Sequence, residues 1–326
     1  MKVAVVGLNS LFACGASSFM LHLVHKSDWD LVIYTECSDE FPKDIPAPVG
    51  FKPIIRVGPE TIKEALRKYD IILFASPRWG GDYWFLEKLG LIHQKIGIVV
   101  HDERDFTRMG MHNLINRFPS SKIFCFDRTV PELFVKYDFN VIKHPYNIIM
   151  LSCNSDNRKY DHKFLMCATR VSPSKNINKV LDCAGNYPLR VFGVDSEEEF
   201  PFDIKTNVTL HRGVYTFEDI SSAYSCAIAS LDASKLLTPC KRTQYAFMDA
   251  WKFNLPVLCE DEWMGDEMIN GVNCLTLNKE NVKAIFENNE VAERIGTNGH
   301  RTLLSNHNPD CVRRDIIERL MYGRQK

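Results

Sequence analysis

Short, almost wholly apolar runs recur from one end of the chain to the other: residues 3–6 (VAVV), 31–34 (LVIY), 71–75 (IILFA), 96–100 (IGIVV) and 122–126 (KIFCF). β-Branched and aromatic residues dominate them, and each is too short for an ordinary helix, so they read as strands. A strand apolar on both faces must be covered on both faces, which is the condition of a parallel sheet flanked by helices. Stretches of helical composition separate them, at 16–26, 61–68 and 85–91, and residues 140–142 continue the alternation. The pattern predicts a doubly wound α/β unit.

A polar, turn-forming segment without periodicity, 152–162 (SCNSDNRKYDH), interrupts this alternation and reads as a linker. Beyond it the pattern starts again, with strands at 163–168, 189–193, 208–211, 226–231 and 256–259 and helices at 176–184, 217–224 and 243–253. From 281 onward the chain is mainly helical, with Val312, Ile316, Ile317 and Leu320 at helical spacing. A length of 326 residues fits two domains better than one core. The expected division is 1–155, 156–305 and a terminal helix at 306–326 that crosses back onto the first domain.

Composition narrows the function classes. Forty basic and forty-one acidic residues leave a net charge of −1, which excludes a uniformly cationic protein though not a local basic groove. No apolar run approaches the roughly 18 residues of a membrane span. The first residues lack a signal-peptide pattern, so a cytoplasmic location is expected. Eleven scattered cysteines include no C-x-x-C pair, and those in strand-like runs, such as Cys125, Cys167 and Cys226, read as small buried hydrophobes.

Ligands of open α/β sheets bind beyond the carboxyl ends of the strands, so the loops there are the candidates. The first, after VAVV, carries Gly7 and Gly15 but lacks the G-x-G-x-x-G spacing, and no acid ends the second strand; a dinucleotide cofactor is not expected. Gly15 still opens a helix whose backbone N–H groups can face a phosphate or a sugar hydroxyl. After IGIVV comes the pentad His101-Asp102-Glu103-Arg104-Asp105. Asp102, just past the strand end, is the candidate general base. His101 reads equally well as a strand-end histidine bonded to backbone.

Arg170 and Lys175, in A-T-R-V-S-P-S-K-N, end the first strand of the second half and lead into its helix. Two cations converging on a helix start can hold a pyrophosphate without a metal. The turn His211-Arg212-Gly213-Val214-Tyr215 can offer main-chain groups to a base edge while Val214 or Tyr215 packs on its face. Asp249, in the helix of T-Q-Y-A-F-M-D-A-W-K-F-N-L-P-V-L, can accept both hydroxyls of a ribose, and Lys235, Lys241 and Arg242 line the loop before it.

These segments resemble, in order, the nucleotide-binding half of GT-B glycosyltransferases. H-R-G-V-Y-T-F-E-D-I-S-S-A-Y-S-C-A-I-A-S-L resembles their strand, glycine, helix and strand. M-I-N-G-V-N-C-L is similar to their G-x-N-G-L turn, and F-M-D-A-W-K-F-N-L-P-V-L to their ribose-binding helix, with Asp249 for the usual Glu. Lys241 stands where their paired-glutamate motif has its first acid, so inversion is expected rather than retention. The resemblance implies two Rossmann-like domains facing a central cleft, and a UDP-sugar donor with no tightly bound cofactor and no indicated metal.

In length and layout the chain is most similar to the T-even phage DNA β-glucosyltransferases, which act on 5-hydroxymethylcytosine. H-D-E-R resembles the T-D-I-R segment that carries their base, at Asp102 and Arg104. Their phosphate-binding arginine corresponds to Arg170, a second cation to Lys175, and their ribose acid to Asp249. A third cation falls on Ala246, and Arg242 substitutes from the loop. K-Y-D-I-I-L-F-A-S-P-R-W-G-G resembles their acceptor-side Y-D…G-G segment at Gly80 and Gly81. The resemblance implies a monomer, no membrane and modified duplex DNA as acceptor. A basic face of Arg56, Arg67, Lys68, Arg78, Arg104, Arg108 and Arg117 is expected to meet that DNA. A polysaccharide or glycolipid transferase and a non-catalytic two-lobed nucleotide- or sugar-binding protein are the alternatives.

Overall fold

The computed structural model describes residues 1–8, 15–35, 47–75, 89, 94–107, 110–151, 163–169, 175–194, 205–212, 216–235 and 243–322. The chain forms two compact units, Met1–Asn147 with His307–Lys326, and Ile148–Asn306.

The first unit holds a seven-stranded sheet. Its strands are β1 (Val3–Leu8), β2 (Asp30–Tyr34), β3 (Ile55–Val57), β4 (Ile71–Phe74), β5 (Lys95–Val99), β6 (Lys122–Cys125) and β7 (Phe139–Val141). They run in the order β3-β2-β1-β4-β5-β6-β7, and every pairing is parallel. Ala4, Val6, Ile72, Phe74 and Ile98 point to one face, where they pack with Ile62 and Leu66 of α2 (Ile62–Arg67) and Leu114 and Ile115 of a later helix, Met111–Arg117. Phe19, Met20 and Leu23 of α1 (Gly15–Val24) are also fully buried. A Cβ on Gly7 would come within 2.8 Å of Met20 Sδ and 2.7 Å of Ile33 Cδ1, so the residue at 7 must lack a side chain for α1 to lie on β1.

The last helix, Pro309–Tyr322, belongs to this unit and contacts α1 and β5. It buries Val312, Ile316 and Leu320, and Arg313 Nη1 donates to the carbonyl of Leu23 at 2.5 Å, satisfying the end of α1. Asp310 in turn pairs with Arg313.

The second unit repeats the scheme with β8 (Phe164–Ala168), β9 (Leu189–Val194), β10 (Val208–Arg212), β11 (Ala227–Asp232), β12 (Val257–Cys259) and β13 (Cys274–Thr276). The order is β10-β9-β8-β11-β12-β13, again all parallel. Its core joins Leu165, Cys167, Val191, Ala229 and Leu231 to Ile177, Val180 and Leu181 of the helix Ile177–Ala184. The helix Phe217–Cys226 starts on a full capping box: Asp219 N donates to Thr216 Oγ1, and Thr216 N donates to Asp219 Oδ2, both at 3.1 Å.

Each strand expected from the sequence is present. β3, β13 and the short helices Arg104–Thr107, Met111–Arg117 and Thr129–Leu133 were not anticipated. The expected linker at 152–162 lies outside the described residues, as does most of the expected helix at 85–91. Of the described cysteines, Cys125, Cys167, Cys183, Cys259 and Cys274 are buried free thiols, while Cys226 is half-buried and Cys311 exposed.

Candidate functional site

Parallel strands bring all their carboxyl ends to one edge of each sheet. Strand order reverses between β1 and β4 in the first sheet and between β8 and β11 in the second, and those are the crevices where α/β sheets hold ligands.

In the first unit, Gly15 opens α1 after β1, and among the described residues beyond its chain neighbours and its own helix backbone no heavy atom lies within 4 Å of where its Cβ would stand. Asp102 follows β5. The turn that carries it is tied by a second carboxylate: Asp105, only 8% exposed, accepts at Oδ2 from His101 N at 2.6 Å and from Asp102 N at 3.4 Å. His101 Nε2 lies 2.6 Å from the carbonyl oxygen of Ala75, the residue after β4. A carbonyl only accepts, so Nε2 carries the proton. Phe19 meets the same ring edge-on at 5.6 Å, and Phe126 lies 5.3 Å away. His101 is therefore the strand-end histidine bonded to backbone, joining the ends of β4 and β5 beside Asp102.

In the second unit, Lys175 and Ser234 meet at the reversal point. Lys175 Nζ donates to Ser234 Oγ at 2.9 Å. Ser234 follows β11 by two residues, and its own N donates to Asp232 Oδ1 at 2.7 Å, an Asx-turn that closes the strand end. Trp263 Nε1 donates to the Ser234 carbonyl at 2.9 Å. Cys167, buried behind this group, has its thiol pushed up by burial and by the Asp232 carboxylate, with Lys175 pulling the other way. The helix Ile177–Ala184 begins after Asn176, whose backbone is left-handed (φ 44°) and whose side chain makes no cap bond.

Asp249 is half-buried on the helix Tyr245–Lys252, four residues after Tyr245. Burial, then the Asp249 carboxylate, pushes the Tyr245 hydroxyl well above its ordinary range. The segment before this helix is anchored by buried Thr243, whose Oγ1 donates to Glu267 Oε2 at 2.9 Å. At the end of β10 the His211 ring stacks flat on Phe192 at 4.1 Å, and Arg190 Nη1 lies 3.3 Å from His211 Nε2. A guanidinium only donates, so Nε2 accepts and the ring is neutral. Burial and Arg190 accordingly hold its pKa down, against a smaller opposite pull from Asp219.

Arg78, Gly80, Gly81, Arg108, Arg170, Gly213, Val214, Tyr215, Lys241 and Arg242 lie outside the described residues, as does the side chain of Arg104. The expected basic face is corrected by the topology. Arg67 and Lys68 end α2, and Arg117 ends the helix before β6, so all three stand at the amino-terminal edge of the sheet, away from the Asp102 edge. Arg56 is exposed on the edge strand β3. Among the described residues no group of three or more His, Cys, Asp or Glu side chains could hold a metal ion, and no helix is long and apolar enough to cross a membrane. Asp105, Asp232 and Ser234 were not singled out from sequence. Asp105 lies in a charged pentad that is equally compatible with a solvated turn, and D-A-S at a strand end is unremarkable, so neither carries a signal in the sequence.

No protein family model matches the sequence, and no curated protein does. Solved structures do match along the whole chain. HepE of Anabaena, solved with UDP and glucose, is 13% identical with a TM-score of 0.72, covering 99% of this chain and 100% of its own. T4 phage β-glucosyltransferase, solved with UDP-glucose, is 14% identical with a TM-score of 0.60, covering 99% and 100%. The N-terminal domain of Candida albicans trehalose-6-phosphate phosphatase is 12% identical with a TM-score of 0.61, covering 97% and 96%. The fold is thus that of the GT-B glycosyltransferases, two parallel-sheet α/β units of seven and six strands.

Proposed function

We propose that the protein transfers a sugar from a UDP-sugar to an acceptor hydroxyl. The observation that carries this reading is the likeness along the entire chain to proteins solved with UDP and with UDP-glucose. Lys175, at the reversal point of the second sheet, supports it locally. Residues 156–305 take the donor. Lys175, Arg170 and Arg242 meet the diphosphate, whose charge grows as the bond to the sugar breaks. Asp249 accepts the ribose hydroxyls, and the Gly213-Val214-Tyr215 turn takes the uracil. The helix start at Gly15 faces the sugar.

Residues 1–155 take the acceptor. Asp102 removes the proton from its hydroxyl as that oxygen attacks the anomeric carbon, and UDP leaves from the opposite side with inversion. We assign the acceptor as 5-hydroxymethylcytosine in duplex DNA, contacted by Arg78, Gly80, Gly81, Arg104 and Arg108. Support comes from the H-D-E-R segment at Asp102 and the likeness to T4 phage β-glucosyltransferase, a DNA-modifying enzyme. Extrusion of the base would bring its hydroxymethyl group to the carboxylate. The second reading is a transferase whose acceptor is a polysaccharide or glycolipid; the likeness to HepE, solved with UDP and glucose at a TM-score of 0.72 against 0.60 for the T4 enzyme, is shared by both readings.

Calorimetry with UDP tests the donor assignment, and absence of binding refutes it. UDP release from a panel of UDP-sugars, with hydroxymethylated and unmodified duplexes, then decides the acceptor. Release with the modified duplex alone, together with binding that weakens as salt rises, supports DNA. Release with neither duplex, but with a saccharide acceptor, establishes the second reading.

A further inference from the structure

Ser234 is 2% exposed, and three separate hydrogen bonds fix it: its N–H to Asp232, its carbonyl from Trp263, and its Oγ from the Lys175 ammonium. The first two are backbone bonds that an alanine would keep. The hydroxyl is therefore not needed to shape the turn. Its oxygen is occupied as an acceptor by Lys175, yet among the described residues nothing accepts its proton. Lys175 is in the same state. Its ammonium has three donors, one is spent on a neutral hydroxyl, and among the described residues no carboxylate pairs with it. A neutral anchor leaves the full positive charge for a ligand, which a salt bridge would have consumed.

We propose that Ser234 is a diphosphate-binding residue that holds Lys175 and donates its own hydroxyl proton to the same phosphate group. The two side chains then present a paired O–H and N–H to one anionic oxygen. This rests on the reading of Lys175 as the donor-phosphate cation and extends it to a residue that the family resemblance does not single out.

Binding of UDP, inorganic pyrophosphate and uridine to the full chain tests this by calorimetry. Ser234→Ala is expected to weaken UDP and pyrophosphate by about 10- to 100-fold, the usual cost of a hydrogen bond to a charged group. Uridine affinity and the thermal midpoint should stay at wild-type values, and Ser234→Thr, which keeps the hydroxyl, should stay within a few-fold. Unchanged UDP and pyrophosphate affinity in Ser234→Ala overturns the assignment, and so does an equal loss for uridine. Wild-type protein that binds neither diphosphate overturns it together with the glycosyltransferase reading. Ser234-dependent binding of pyrophosphate without binding of UDP upholds Ser234 and removes the UDP-sugar reading alone.

Discussion

The carboxylate of Asp105 accepts two backbone N–H groups, those of His101 and Asp102, from a nearly buried position. Its effect is to fix the backbone from which the Asp102 side chain departs, while the His101 ring ties the same strand end to Ala75. Removing the base and removing its support should therefore look different. Asp102→Asn is expected to lower kcat by about 100- to 10,000-fold, the range of general-base catalysis, with UDP affinity unchanged. Activity within a few-fold of wild type rejects the base. Asp105→Ala leaves two N–H groups without their acceptor and should cost about 1–3 kcal/mol of stability as well as turnover. Asp105→Asn keeps an acceptor oxygen and should recover most of both, as urea unfolding and initial rates would register. Similar losses in both Asp105 variants would show that the charge, and not the hydrogen-bonded turn, is what matters. That Asp102 stands at a strand end could be read from IGIVV running into HDERD. That Asp105 folds back onto the strand end could not, since a charged pentad is equally compatible with a solvated turn.

At the scale of elements, the helix Asn289–Asn306 lies across the helix Tyr245–Lys252 that carries Asp249. The approach is made possible by two glycines. A Cβ on Gly296 would fall 1.8 Å from the carbonyl oxygen of Asn254, and one on Gly299 would fall 2.1 Å from Cδ1 of fully buried Trp251. Trp251 cannot move freely, because its Nε1 donates to the Asn273 carbonyl at 3.1 Å. Gly296→Ala and Gly299→Ala should each cost at least about 1–3 kcal/mol by overpacking, lowering the calorimetric midpoint by about 2–4 °C per kcal/mol. Unchanged midpoints would mean that the helices separate at no cost. Strands were the legible elements, since a run such as IILFA is dominated by β-branched and aromatic residues, too short for an ordinary helix and apolar on both faces. The edge strand β3 (Ile55–Val57) was not legible, being three residues long with Arg56 exposed in its middle. The helix Met111–Arg117 was missed because it spans barely two turns, too few for periodicity to declare itself. The cations of the expected basic face were visible in sequence, but not the sheet edge to which each helix end would carry them.

Across the whole molecule, the first unit is closed by a segment from the far end of the sequence. Tyr146 N donates to the His307 carbonyl at 2.7 Å, where the chain returns, and Tyr146 stacks on His22 at 4.5 Å. Asn147 N donates to His22 Nδ1 at 2.9 Å, so that nitrogen must stay unprotonated. Burial, and then the neighbouring His25, lower the His22 pKa from 6.5 to about 3. The folded form thus refuses a proton that the unfolded chain accepts below pH 6.5. Stability from this group is complete above pH 6.5 and is lost as the pH falls toward 3, at about 1.4 kcal/mol per pH unit. Between pH 6.5 and 5 the loss amounts to about 2 kcal/mol. His25 and His211 are shifted in the same direction and steepen the decline. Urea unfolding at a series of pH values measures the slope, and His22→Gln, which cannot titrate, should be less stable at pH 7 yet flatter between pH 6.5 and 5. Parallel curves for the two proteins would mean that His22 is protonated in the fold, and that the bond from Asn147 does not hold it neutral.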